Sequence, residues 1–350
     1  MNRIKIDNKF IGNSYPPYII AELSANHNGS LRRALSTITA AKKAGANAVK
    51  LQTYTADTMT IDSNKDDFKI KSGLWKNKRL YDLYKDASTP YAWHQKLLKH
   101  AQKIGITCFS TPFDETAADF LKKLKVPAYK IASFELNDLE LIKHVAKNNK
   151  PIILSTGMST LSQISRAVKA AKSVGTKKIV LLYCISGYPT PNKDFNLLTL
   201  QDLKKKFKVI VGLSDHSKSS IVANAAVSLG ANVIEKHFKL DDDEDGYDSK
   251  FSINPRELKE LCEETYSTWQ SLGKINYKLK SSEKESIKFK RSLYFVKDLN
   301  KNEKISKNDI RKIRPGYGKD PSFFSKVVGK HVNRKITRGT PVKDKYINEK

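Results

Sequence analysis

The chain has no uninterrupted apolar stretch near the roughly 20 residues that a membrane-spanning helix requires. Residues 1–10 alternate charged with apolar side chains and lack the apolar centre of a secretory signal. The expectation is a soluble, cytoplasmic protein with no membrane partner. Cysteine is scarce: Cys108, Cys184 and Cys262 form no C-x-x-C pair, which excludes a disulfide scaffold and a structural zinc site on sequence grounds. Two of them sit in strand-like apolar runs, where a small buried thiol fits. No helix-turn-helix, RNP or zinc-finger signature is present, and no repeat beyond a strand-helix period.

Negative charge is also short. Against 64 Lys and Arg stand 36 Asp and Glu, giving a formal charge of +28. Such an excess raises the alternative of a basic nucleic-acid-binding protein, since neutralised phosphates dominate non-specific binding. The lysines, however, are scattered over every predicted helix, as solvated faces and an AT-rich coding sequence would leave them, and no nucleic-acid partner is expected. The acidic run 241–245 reads as a solvated loop rather than a metal cage.

Hydrophobic residues make up only 39% of the chain, but they cluster in dense runs such as Tyr18–Leu23, Pro151–Leu154 and Ile179–Leu182. Eight runs read as strands, over 19–24, 48–54, 107–111, 128–134, 152–156, 179–186, 209–214 and 233–238, each followed by a helical pattern. Asp114 or Thr116 is placed to cap a helix over 117–123, and Ser159 one over 161–174 that Gly175 ends. Between the second strand and its helix, residues 55–88 form an unusually long insert that reads as a lid.

Alternation alone also fits an open doubly wound sheet. Polar residues at nearly every strand end favour closure, because a (β/α)8 barrel builds its site at one mouth. The fold class expected is therefore an α/β TIM barrel over 1–272, an exposed linker over 273–290 rich in Lys, Ser and Glu, and a small β-rich domain over 291–350.

At the predicted mouth, His216 and His237 stand on neighbouring strands, where neutral imidazoles can share a divalent cation; singly, each has an equally ordinary structural reading. Lys50 and Lys130 lie at ends of apolar strands, where an unpaired ammonium is costly, so they call for an anion. Hydroxyls of Thr111, Ser133, Ser155 and Ser214 can complete a phosphate site. Glu22, among Ile19, Ile20, Ala21 and Leu23, either handles a proton or makes a structural ion pair.

The segments AELSANHNGS (21–30), AVKLQTYT (48–55), FSTPFD (109–114), YKIASFE (129–135), STGM (155–158), YPTP (188–191), GLSDH (212–216) and EKHF (235–238) occur in that order. Together they resemble the sialic acid (N-acylneuraminate) synthase family along the whole barrel. The tail resembles the antifreeze-like (SAF) module of those synthases, with an RPG turn at Arg314–Gly316.

The resemblance implies a transferase that condenses phosphoenolpyruvate with an amino-sugar aldehyde, using a divalent metal ion (Mn2+, Mg2+ or Co2+) held by His216 and His237. It implies that Lys50, Gln52, Thr111, Lys130, Ser133, Ser155, Ser186 and Ser214 line the substrate site, Ser186 standing where sialic acid synthases have Asn. Glu22 would sit beside the reacting carbons, and Glu135, Tyr188 and Asp248 would contact the sugar. Arg314 would reach the site of a partner subunit in a domain-swapped homodimer. Leu23-Ser24 and Ala132–Glu135, where sialic and legionaminic acid synthases usually show Ile-Gly and Gly-Ser-Gly-Glu, resemble the pseudaminic branch, as do LYDLY (80–84) and TPYAWH (89–94).

Overall fold

The structure is a computed structural model in which residues 3–242 and 246–348 are described, so most of the acidic run, 243–245, lies outside the described residues. The chain divides into two compact units, Met1–Gly273 and Lys274–Lys350.

The first unit opens with a hairpin, β1 (Ile4–Ile6) and β2 (Lys9–Ile11), paired antiparallel. It is followed by eight strands: β3 (Tyr18–Glu22), β4 (Ala48–Thr53), β5 (Thr107–Pro112), β6 (Tyr129–Ile131), β7 (Ile152–Ser155), β8 (Ile179–Cys184), β9 (Ile210–Asp215) and β10 (Val233–His237). These close in sequence order, β10 returning to β3, into a parallel barrel. All eight lie where the apolar runs predict them, because β-branched residues buried on both faces read as continuous apolar stretches.

The two-residue pleat sorts side chains between two cores. Outward-facing residues such as Ile19, Val49, Leu154, Leu213 and Ile234 join the shell of helices. Inward-facing residues fill the lower barrel with Tyr18, Ile20, Ala48, Phe109, Ile153, Val180, Leu182 and Val233. Higher up, the same inward columns turn polar. Gly212 belongs to this inner face; a Cβ there would lie 2.3 Å from the Val233 carbonyl oxygen.

The hairpin is the main element that sequence reading missed. Its alternating charged and apolar residues, read only as the absence of a signal core, are the pattern of a half-buried strand, and Asp7 turns the chain with a φ of 49°. Ile4, Ile6 and Ile11 pack into the lower barrel core.

Helix ends follow local chemistry. Asp114 caps Glu115–Lys123 through Ala117 N at 2.9 Å. The helix Leu161–Ser173 is capped by Thr160 in a capping box with Gln163, and not by Ser159, whose hydroxyl instead donates to the Gly157 carbonyl. The insert folds into two short helices, Ala56–Met59 and Leu80–Ala87, and a 3-10 turn. Arg79 braces it, bonding Asp62 and Asp82 at 2.7 Å, and Trp75 Nε1 ties it to the Tyr247 carbonyl beyond β10. No helix among the described residues is long and apolar enough to cross a membrane.

The second unit pairs β11 (Ser292–Phe295) with β12 (Ile310–Ile313) over a small core that includes Leu293, Phe295, Ile310, Val332 and Val342. Residues 274–290, exposed throughout, include a 3-10 segment, Ser281–Phe289.

Since Ile6 is fully buried, Ile6→Ala should lower the unfolding free energy by about 2–5 kcal/mol, the usual cost of emptying such a site. Urea titration of the full chain measures this; a midpoint unchanged from wild type would show that the hairpin does not stabilise the barrel.

Candidate active site

The polar upper ends of the inward columns enclose a cavity of about 560 Å³ at the C-terminal mouth of the barrel. Glu22, Lys50, Gln52, Lys130, Ser133, Glu135, Ser155, Tyr188, Ser214, His216, His237 and Asp248 are on its wall. Thr111 and Ser186 stand off the wall. Thr111 accepts a 3.0 Å hydrogen bond from Lys50 Nζ. Ser186 crowds Gly157 together with Ser133: a Cβ on Gly157 would lie 2.3 Å from Ser186 Oγ and 2.8 Å from Ser133 Oγ, so only glycine fits there. Arg314 belongs to the second unit and is exposed within it.

Both cavity lysines are almost fully buried, and each faces a buried carboxylate. Lys50 pairs with Glu22, and Lys130 Nζ lies 3.4 Å from Glu235 Oε1. Gln52 donates to Glu22 Oε1 at 3.0 Å, and Ser214 to Glu235 Oε1 at 3.2 Å. Burial pushes Glu22 up to about 7 against the pull of Lys50. Glu235 ends below its ordinary value, because Lys130 and Lys50 outweigh its burial. Lys130 is pushed down by burial, which Glu235 only partly offsets. Further out, burial raises Glu135 to about 7 despite the pull of Lys130.

Several buried polar atoms at this mouth have no hydrogen-bond partner among the described residues: Ser155 Oγ, Ser186 Oγ and Glu235 Oε2. The two orphaned hydroxyls, set beside two ammoniums, suit a polar, anionic ligand, while the unpaired carboxylate oxygen calls for a donor. Tyr54, Met59, Ile70, Leu80 and Phe134 supply an apolar side to the same cavity, three of them within the insert.

The two histidines stand with ring centroids 5.4 Å apart, bordered by Tyr188 and Phe251. His216 Nδ1 donates to the Ile185 carbonyl at 2.9 Å, which turns Nε2 away as the ligating atom. Burial pushes His216 down, but Cys184, the Ile185 carbonyl and Glu235 outweigh it and leave the imidazole above its ordinary value. A cation on Nε2 requires that nitrogen to be free of its proton. His237 is held well below its ordinary value, by burial first and then by neighbouring His216, so it is neutral; its Nδ1 makes no hydrogen bond among the described residues. The pair thus fits a divalent cation. No group of three or more His, Cys, Asp or Glu side chains suited to a metal occurs among the described residues, so other ligands would come from water or substrate.

Sequence reading passed over Glu235 and Cys184 as site residues, although both are on the wall. For Glu235 the signal was available, since it lies two residues before His237 on the same face of β10. Cys184 reads as core filler until the barrel closes and brings its Sγ to 3.9 Å from His216 Nδ1. All three cysteines are unpaired.

A closed (β/α)8 barrel with buried lysines, acids and an imidazole pair converging on one mouth is the architecture of a barrel enzyme, with a site suited to a small anion. The chain belongs to the NeuB family, whose model matches residues 37–277, and it carries a SAF domain matched over 290–347. It is 45% identical to a pseudaminic acid synthase of Campylobacter jejuni over 93% of this chain and 95% of that one. With a pseudaminic acid synthase of Helicobacter pylori the identity is 41%, over 93% and 96% of the two chains. The crystal structure of an N-acetylneuraminic acid synthetase from Leptospira borgpetersenii, in complex with citrate, superposes with a TM-score of 0.73 at 35% identity, covering 82% of this chain and 95% of that one.

A carboxyl raised by burial stabilises the fold while protonated, so the contribution of Glu135 is complete below its ordinary 4.5 and is lost as pH rises through about 7. Glu135→Gln should therefore flatten the decline in stability between those values. Thermal melts of both chains at pH 5 and pH 7.5 check this; an equal pH dependence in the two would contradict the raised value.

Proposed function

We propose that the chain condenses phosphoenolpyruvate with 2,4-diacetamido-2,4,6-trideoxy-L-altrose and water, releasing pseudaminic acid and phosphate. The observation that carries this reading is the buried pair Lys50 and Lys130 at the barrel mouth, within a sequence 45% identical to a pseudaminic acid synthase.

Lys50 and Lys130 would hold the phosphate and carboxylate of phosphoenolpyruvate, with Ser133 and Ser155 donating from the wall and Ser214 beside them, its hydroxyl donating to Glu235. The ammoniums are already fixed by Glu22 and Glu235, so they need no reorganisation when the ligand arrives. Glu135, Tyr188 and Asp248 would orient the sugar so that its aldehyde carbon meets C3 of the enol. A divalent cation (Mn2+, Mg2+ or Co2+) held by His216 and His237 would polarise the aldehyde. As the C–C bond forms, positive charge develops at C2; water adds there and phosphate leaves by C–O cleavage. The Glu22 carboxyl, held near neutrality, is suited to receive or return a proton beside these carbons.

The acceptor assignment is supported by the apolar side of the cavity. Met59, Ile70, Leu80 and Phe134 suit the methyl of a 6-deoxy sugar better than a hydroxymethyl group. Discrimination of this kind is worth roughly 1–3 kcal/mol, or about 10–200-fold. By resemblance to the family, the second unit would cover the mouth of a partner chain in a swapped homodimer, Arg314 reaching the sugar there.

His216→Ala or His237→Ala should abolish turnover, and a chelator should do so reversibly; full activity in metal-free buffer would remove the metal from the mechanism. Mass spectrometry of products formed from phosphoenolpyruvate and each candidate acceptor should show the L-altrose derivative preferred at least tenfold in kcat/KM over N-acetylmannosamine. The opposite preference would keep the chemistry and overturn the choice of sugar. Mixing Arg314→Ala and His216→Ala chains should restore activity, since one mouth of the heterodimer is intact; no recovery after verified subunit exchange would mean that Arg314 does not serve a partner.

A further inference from the structure

Asp215 and Lys236 occupy outward-facing positions on β9 and β10, directly opposite one another in the parallel ladder. The neighbours on those faces, Leu213 and Ile234, belong to the apolar layer between barrel and helices. An ion pair in such a layer gives up hydration at both charges, a cost that well-packed apolar residues would avoid. Neither group lines the cavity, and neither has a part in the chemistry proposed above.

What the pair does is visible in its bonds. Lys236 Nζ donates to Asp215 Oδ2 and to the Ser217 carbonyl, both at 2.7 Å, and to Ser217 Oγ and the Ser219 carbonyl at 3.2 Å. The other carboxylate oxygen, Asp215 Oδ1, accepts from Ser217 N at 2.8 Å. Every one of these contacts falls on residues 215–219, the turn that contains His216, and the lysine making them immediately precedes His237. One buried ammonium therefore grips the chain on both sides of one imidazole while its own backbone carries the other.

We infer that Asp215 and Lys236 are positioning residues that set the spacing and orientation of His216 and His237, so that the two imidazoles meet one cation without rearrangement. This rests on the histidine pair binding a divalent metal, as proposed above. The β9–β10 ladder alone leaves His216 free to swing, since it lies one residue past the end of β9. Lys236 closes that freedom from the β10 side, as the Ile185 and Thr190 contacts do from the side of β8.

The test is Mn2+ binding to the full-length chain, read by electron paramagnetic resonance of the free ion and by calorimetry, beside the Mn2+ dependence of turnover. Lys236→Met should weaken Mn2+ binding about tenfold or more, the usual loss when the support of a metal ligand is removed. Turnover at saturating Mn2+ should recover to near wild type, because the substrate-binding groups are untouched. Ile164→Ala, a buried change on the helix Leu161–Ser173, controls for general loss of stability and should leave Mn2+ affinity unchanged. If Lys236→Met does not fold, the double variant Asp215→Leu/Lys236→Met decides, since an apolar pair of similar volume is tolerated in such a layer; it should fold and bind Mn2+ equally weakly. A folded variant with wild-type Mn2+ affinity overturns the positioning role. A wild-type chain that binds no Mn2+ overturns the metal assignment beneath it.

Discussion

Two ammonium groups held out of water are the constraint around which the barrel mouth is arranged. Withdrawing an ion from water costs several kcal/mol even after relaxation, and here four charged groups share that cost within one cavity wall. Lys50 against Glu22 and Lys130 against Glu235 make the arrangement tolerable, and the hydroxyl of Thr111 and the amide of Gln52 take up remaining bonding capacity. An anionic substrate entering such a site meets positive charge already fixed in place, which is the condition under which electrostatic stabilisation acts most strongly.

The same demand explains why the barrel is graded from end to end. Its lower interior must be dry and apolar to hold the shape against which the lysines are placed. The hairpin residues Ile4, Ile6 and Ile11 complete that packing, together with inward residues of the strands. The upper interior uses the same pleat for polar groups, so that Val233, Glu235 and His237 follow one another up a single face from core to chemistry. The insert then adds an apolar side to a polar mouth, braced by Arg79 and by the Trp75 bond to the loop beyond β10. The division of labour, paired charges below and an apolar surface at the side, suits the condensation proposed above.

Much of this was legible before the chain was folded. The eight strands, the long insert, the cap at Asp114 and the change of texture after Leu272 depend on neighbours a few residues apart, and such local preferences are written into short stretches of sequence. Lys50, Lys130, His216 and His237 could be named because an ionisable group at the end of an apolar strand is conspicuous wherever the strand is placed. The order of eight short motifs then carried the family.

Other features depended on closure. Ser24 and Asp248 hydrogen bond across 224 positions, Lys236 reaches Asp215 across 21, and no spacing rule selects such partners. Cys184 becomes a site residue only once β8 and β9 stand side by side. The sequence by itself determined the number and order of the barrel strands and the helical patterns between them, since these follow from propensity and period along the chain. The tertiary structure decided which charges face one another and which are left for a ligand, because electrostatic and packing energies depend on distances that exist only after the last strand meets the first.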